Sequence, residues 1–124
     1  MDAKLKDLWL KALRSRKYRQ AENALKDGDG YCCLGLLCHV AAGAGLVPSN
    51  AKVEEADATL VYHWTADDFP EAENGELPDG AFGLPYSIIL EAMSRNDGTD
   101  VFEGANQSFP QIADWLETAL PVSP

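Results

Sequence analysis

Positive charge is scarce along most of this chain. Beyond residue 26 only Lys52 and Arg95 are basic, and seventeen acidic side chains surround them. Over all 124 residues, 10 basic and 20 acidic side chains leave a net charge of −10. A surface of that sign cannot supply the phosphate contacts that hold a protein to DNA, RNA or an anionic membrane, so direct nucleic-acid binding is not expected. Cysteine is also sparse. Cys32, Cys33 and Cys38 are an odd set, and adjacent cysteines rarely pair, so a disulfide scaffold is excluded and a reducing compartment is expected. No apolar run reaches the ~20 residues that span a bilayer. The most apolar stretch, 31–48, contains His39, Gly35, Gly43 and Gly45, and the polar opening Met1-Asp2-Ala3-Lys4-Leu5-Lys6 is no secretory leader.

Several chemistries are missing with them. Zinc knuckles need paired ligands two to four residues apart, whereas Cys33 and Cys38 stand five apart with only His39 and His63 to join them. The acidic turns at 27–30 and 96–100 do not continue into a calcium loop. There is no phosphate-binding Gly-x-x-x-x-Gly-Lys, no dinucleotide fingerprint and no serine elbow. No metal or cofactor is therefore expected, and no catalytic residue is assigned.

What remains is an ordinary folded composition, with 46% apolar residues and a length suited to one domain. Leu5, Leu8, Trp9, Ala12 and Leu13 recur at helical spacing and predict an amphipathic helix over 2–15 capped by Asp2. The turn Asp27-Gly28-Asp29-Gly30 predicts a hairpin of about 18–25 and 31–33. Residues 34–44 read as a buried helix in which Gly35 admits a neighbouring backbone and Gly45 closes the end. Residues 48–57 read as loop, 59–65 as a strand and 67–80 as an acidic loop. A helix is expected over 86–95 with Ile88, Ile89 and Met93 inward. Ser108-Phe109-Pro110-Gln111 is a capping box, opening a helix with Phe109, Ile112, Ala113, Leu116 and Leu120 on one face and Pro121 as its stop. The sum is a single α+β domain over 1–124 with about four helices and a small antiparallel sheet. It divides into a basic helix, hairpin and cysteine-rich helix (1–47), an acidic region (48–86) and C-terminal helices (87–120).

The charge is unevenly placed. Residues 1–26 hold eight basic and three acidic side chains, and the rest of the chain is strongly acidic. A local cationic site in an acidic protein favours a small anion while the overall field repels polynucleotides. Arg14, Arg16, Lys17 and Arg19 supply the charge, Tyr18 and Tyr31 the stacking surface, and Gln20 and Asn96 the hydrogen bonds for such a ligand. Two other readings stand beside this one. The acidic set Glu54, Glu55, Asp57, Asp67, Asp68, Glu71, Glu73 and Glu76 could imitate nucleic acid and block a basic host protein. Cys33, at a helix start with His39 or His63 as base, could be a nucleophile.

The run Trp9…Arg14-Ser15…Lys17-Tyr18-Arg19-Gln20…Asp27-Gly28-Asp29-Gly30-Tyr31-Cys32-Cys33-Leu34-Gly35-Leu36-Leu37-Cys38 resembles a family of small proteins of tailed phages and prophages whose hallmark is Tyr-Cys-Cys-Leu-Gly-x-Leu-Cys. Asn96-Asp97 and Ser108-Phe109…Ile112-Ala113-Asp114-Trp115-Leu116-Glu117 are similar to that family's closing helix. The likeness covers 4–44 and 88–120, leaves 48–86 unmatched, and departs at His39, where an aspartate is common. It implies an accessory phage protein of the host bacterial cytoplasm, acting against host defence. On that footing the chain is expected to be a non-catalytic binder that sequesters a nucleotide-like immune signal, with a homo-oligomer as one form it can take.

Overall fold

A computed structural model describes residues 1–22, 24–49, 51–56, 59–64, 77, 79–98 and 106–120. Four helices and two small sheets make up the described structure, an α+β domain as the sequence predicts. Helix α1, Ala3–Arg14, begins at Asp2, whose carboxylate accepts from the Leu5 amide at 2.9 Å. It buries Leu5, Trp9, Leu10 and Leu13 on one face. Three two-residue strands follow: β1 Arg19–Gln20, β2 Lys26–Asp27 and β3 Gly30–Tyr31. Strands β2 and β3 form the tight hairpin, with Gly28 at φ +63 in its loop, where a side chain would be strained. The expected hairpin arm over 18–25 is corrected. Among the described residues of that span Arg19–Gln20 is strand, and it pairs with the other edge of β3 in parallel, which no local turn signal can announce.

Helix α2, Cys33–Ala44, runs through the middle of the core and ends on Gly45 at φ +70. A Cβ at Gly35 would lie 1.7 Å from the Leu25 carbonyl oxygen, so only glycine lets that backbone in. Trp9, with no exposed surface, donates its indole N–H to the Cys33 carbonyl at 2.8 Å and fastens α1 to α2. Residues 48–57, read as loop, instead contain β4, Ala51–Ala56, which pairs antiparallel with β5, Thr59–Trp64, placing Val53 opposite Tyr62 and Glu55 opposite Leu60. Its two glutamates and lysine disguise the alternation of a strand.

Helix α3, Tyr86–Asp97, turns Ile89 and Ala92 inward, whereas Met93 is 38% exposed and Ile88 only half-buried. The buried face is thus set one residue away from the expected phase at Met93. The capping box forms as predicted, with the Gln111 side chain accepting from the Ser108 amide at 2.9 Å, and opens α4, Phe109–Ala119. Lys6 closes the far end of α4 by donating to the carbonyls of Leu120 at 2.5 Å and Glu117 at 3.3 Å. The expected strand end at Thr65, the acidic loop over 67–76 and the helix stop at Pro121 lie outside the described residues. Among the described residues no helix is long and apolar enough to cross a membrane.

Candidate functional site

The eight predicted ligand residues do not converge. Arg14 turns to α4 and pairs with Asp114 at 2.8 Å and Glu117 at 3.3 Å. Arg19 lies over the β2–β3 turn, donating to the Asp29 carboxylate at 2.7 Å and the Asp27 carbonyl at 2.9 Å. It fits there because Gly30 has no side chain, since a Cβ would stand 2.9 Å from the Arg19 guanidinium carbon.

Gln20 and Asn96 do meet, but they satisfy each other. The Gln20 amide donates to Asn96 Oδ1 at 2.9 Å and to the Gln107 carbonyl at 2.8 Å. Asn96 is wholly buried, accepts also from the Cys33 amide at 3.2 Å, and donates to the Ala21 carbonyl at 2.8 Å and the Asp97 carboxylate at 2.9 Å. With every polar atom engaged, this is a structural hub joining α3 to β1 and to the start of α2.

Arg16, Lys17, Tyr18 and Tyr31 remain. Arg16 follows the α1 cap at φ 60, and both Arg16 and Lys17 are exposed without an ion-pair partner among the described residues. Tyr18 is half-buried and meets the Tyr31 ring edge to face at 6.0 Å and the His39 ring at 5.6 Å. Tyr31, largely buried, is tied by its hydroxyl to Glu55 of β4. His39 Nδ1 stands 2.8 Å from the other Glu55 oxygen, and Lys26 Nζ donates to the first at 3.1 Å.

This cluster joins β2, β3, α2 and β4. It borders an open groove of about 460 Å³ lined by Leu8, Tyr18, His39, Val40, residues 42–44 and Glu55. Partial burial pushes the Glu55 carboxyl up, but hydrogen bonds from Tyr31, His39 and Lys26 outweigh it and hold it at about 2. Burial, and then the Glu55 carboxylate, push the Tyr31 phenol above its usual range, so it keeps its proton and donates. His39 and Glu55 were not among the predicted ligand residues; the sequence offered His39 only as a base for Cys33 and Glu55 only as part of an acidic face. The one signal for Glu55 is its place two residues beyond Val53, on the inward side of β4.

The cysteines are core. Cys32, not Cys33, caps α2, its sulfur accepting from the Gly35 amide at 3.3 Å. Burial pushes Cys32 up to about 11 and Cys33 well above its usual value. An attacking thiolate needs an open path and the opposite shift. Of the acidic set read as a possible mimic face, Glu54 is paired with Lys52 and His63, each at 2.8 Å. Glu55 is in the cluster, and Asp57, Asp67, Asp68, Glu71, Glu73 and Glu76 lie outside the described residues.

Fold and site together define a small α+β protein with an aromatic-walled groove between α1, the end of α2 and β4. The chain belongs to the family described as a domain of unknown function (DUF8296), whose family model matches residues 1–73. No curated protein and no solved structure matches it. The matched span contains every residue that lines the groove, while α3 and α4 lie beyond it.

Proposed function

We propose that this chain is a non-catalytic binding protein that takes a small anionic ligand of nucleotide type in the groove beside Tyr18. The observation that carries the reading is the half-buried Tyr18 ring on the groove wall, directly after two exposed cations without ion-pair partners among the described residues, Arg16 and Lys17. A flat heterocycle stacks on such a ring, and an exposed guanidinium two residues earlier in the chain can give a phosphate charge-assisted hydrogen bonds. Leu8, Val40 and the small residues 42–44 add the apolar lining that small-ligand sites need. The net charge of −10 disfavours polynucleotides, and the exposed Arg16 and Lys17 are the cations left to attract a small anion. The likeness to phage accessory proteins supplies the setting. The ligand is then a nucleotide-derived signal of bacterial immunity, sequestered in the host cytoplasm.

The test is the melting temperature of the purified full chain with a panel of cyclic and linear nucleotides. A ligand at about 100 times its Kd stabilises by roughly 2.7 kcal/mol and raises the melting point accordingly. Tyr18→Ala, and Arg16→Glu with Lys17→Glu, abolish that rise. Flat curves across the whole panel reject the reading.

A further inference from the structure

We propose that Glu55 sets the tautomer of the neutral His39 ring, so that in this form Nε2 presents a bare lone pair to the groove and the ligand read there carries an N–H or O–H donor. The inference rests on the groove reading above for the ligand, but not for the tautomer.

The argument begins with the carboxylate. Glu55 faces three groups: the Tyr31 hydroxyl, the His39 ring and the Lys26 ammonium. An ionised carboxylate only accepts, so each of the three must donate to it. Nδ1 lies 2.8 Å from one Glu55 oxygen and 3.3 Å from the Tyr31 oxygen. Were Nδ1 bare, its lone pair would point at an anion at hydrogen-bond distance, a repulsive arrangement. With the proton on Nδ1, both contacts become favourable, because the Tyr31 hydroxyl gives its own proton to Glu55 and offers its oxygen to the ring.

A neutral imidazole has one N–H and one lone pair. Fixing the proton on Nδ1 leaves Nε2 as acceptor, and among the described residues Nε2 has no partner. The ring is 34% exposed and lines the groove beside Tyr18. A ring stacked on Tyr18 therefore meets an acceptor at its edge. An exocyclic amine of a base and a hydroxyl of a sugar share the donor chemistry this requires. Glu55 is a positioning residue here, since it acts through His39.

The experiment has two arms. Long-range nitrogen–proton NMR correlations of the neutral His39 ring place its proton on Nδ1 in the unaltered chain. In Glu55→Gln the donor-only Lys26 claims the amide oxygen, and the amide NH₂ turns to the ring. Nδ1 must then accept, and the proton moves to Nε2. A proton already on Nε2 in the unaltered chain overturns the proposal, as does one that stays on Nδ1 in the variant.

The second arm compares adenosine 5′-monophosphate with purine riboside 5′-monophosphate, which lacks the amine, and with the 2′-deoxy form. Loss of the donor that is read weakens binding about tenfold, and Glu55→Gln erases that difference. Equal affinity for all three overturns the ligand class alone. No binding of any of them rejects the ligand class together with the groove reading, and the ring spectrum then decides the tautomer by itself.

Discussion

Two polar clusters hold distant parts of this chain together, and they are built on opposite principles. The hub at Asn96 is centred on an uncharged, wholly buried amide and is saturated, with each amide atom spent on a backbone or side-chain partner. The cluster at Glu55 is charged and partly exposed, and it opens on the groove with one ring nitrogen unspent. A saturated buried network fixes a fold but offers nothing to a ligand. An open one can do both, at lower cost to stability when it is disturbed. The sequence offered Gln20 and Asn96 as hydrogen-bonding residues of a ligand site and Glu55 as part of an acidic face, whereas the fold spends the first two on each other and puts Glu55 beside the groove.

The sharpest way to break that contrast is at the hub. Asn96→Ala leaves the Cys33 amide, the Gln20 side chain and the Ala21 carbonyl without this partner in the interior. A loss of about 3–5 kcal/mol in urea unfolding is expected. A loss below ~1 kcal/mol would mean the hub is not sealed.

The open cluster should matter less and respond to pH. The carboxyl of Glu55 is held at about 2 when folded and titrates at ~4.3 when unfolded. Its stabilisation is therefore complete above the unfolded value and is lost as pH falls through the folded one. Between about pH 4.5 and 2 the unaltered chain should lose roughly 1 kcal/mol more than Glu55→Gln does, the full shift being discounted because solvent screens a carboxylate this exposed. Parallel acid-melting curves for the two would show that the cluster contributes no stability of its own. The smallest effect is expected at Tyr18→Ala, which removes the groove wall but no buried hydrogen bond. Its unliganded stability should fall by about 1 kcal/mol or less, and a larger drop would make Tyr18 part of the core.

What the sequence revealed was local. The Asp2 cap, the capping box at Ser108, the glycine exit of α2 and the need for a small residue at Gly35 all follow from spacing over a few residues, and each is present. Non-local pairing stayed hidden. Nothing within 18–31 signals that Arg19–Gln20 lies parallel to Gly30–Tyr31, and the charges of β4 concealed its strand. The site was legible only in part. Tyr18 and Tyr31 do come together, yet Arg14 and Arg19 had acids nearer than any ligand, and Asn96 had its partners inside. His39, read from the sequence only as a base for Cys33, joined the groove only when Glu55, sixteen residues away, was placed against its ring.

The place of Asn96 in the chain bears on how the family's recognisable portion can be handled. The matched span ends at residue 73, twenty-three positions before that asparagine. Excised alone, it would keep every groove residue but lose the amide that serves β1 and the start of α2, along with α4, which packs against α1. Domain borders drawn by sequence likeness and by cooperative folding do not coincide here, and fragments for crystallisation or binding screens should extend through residue 120.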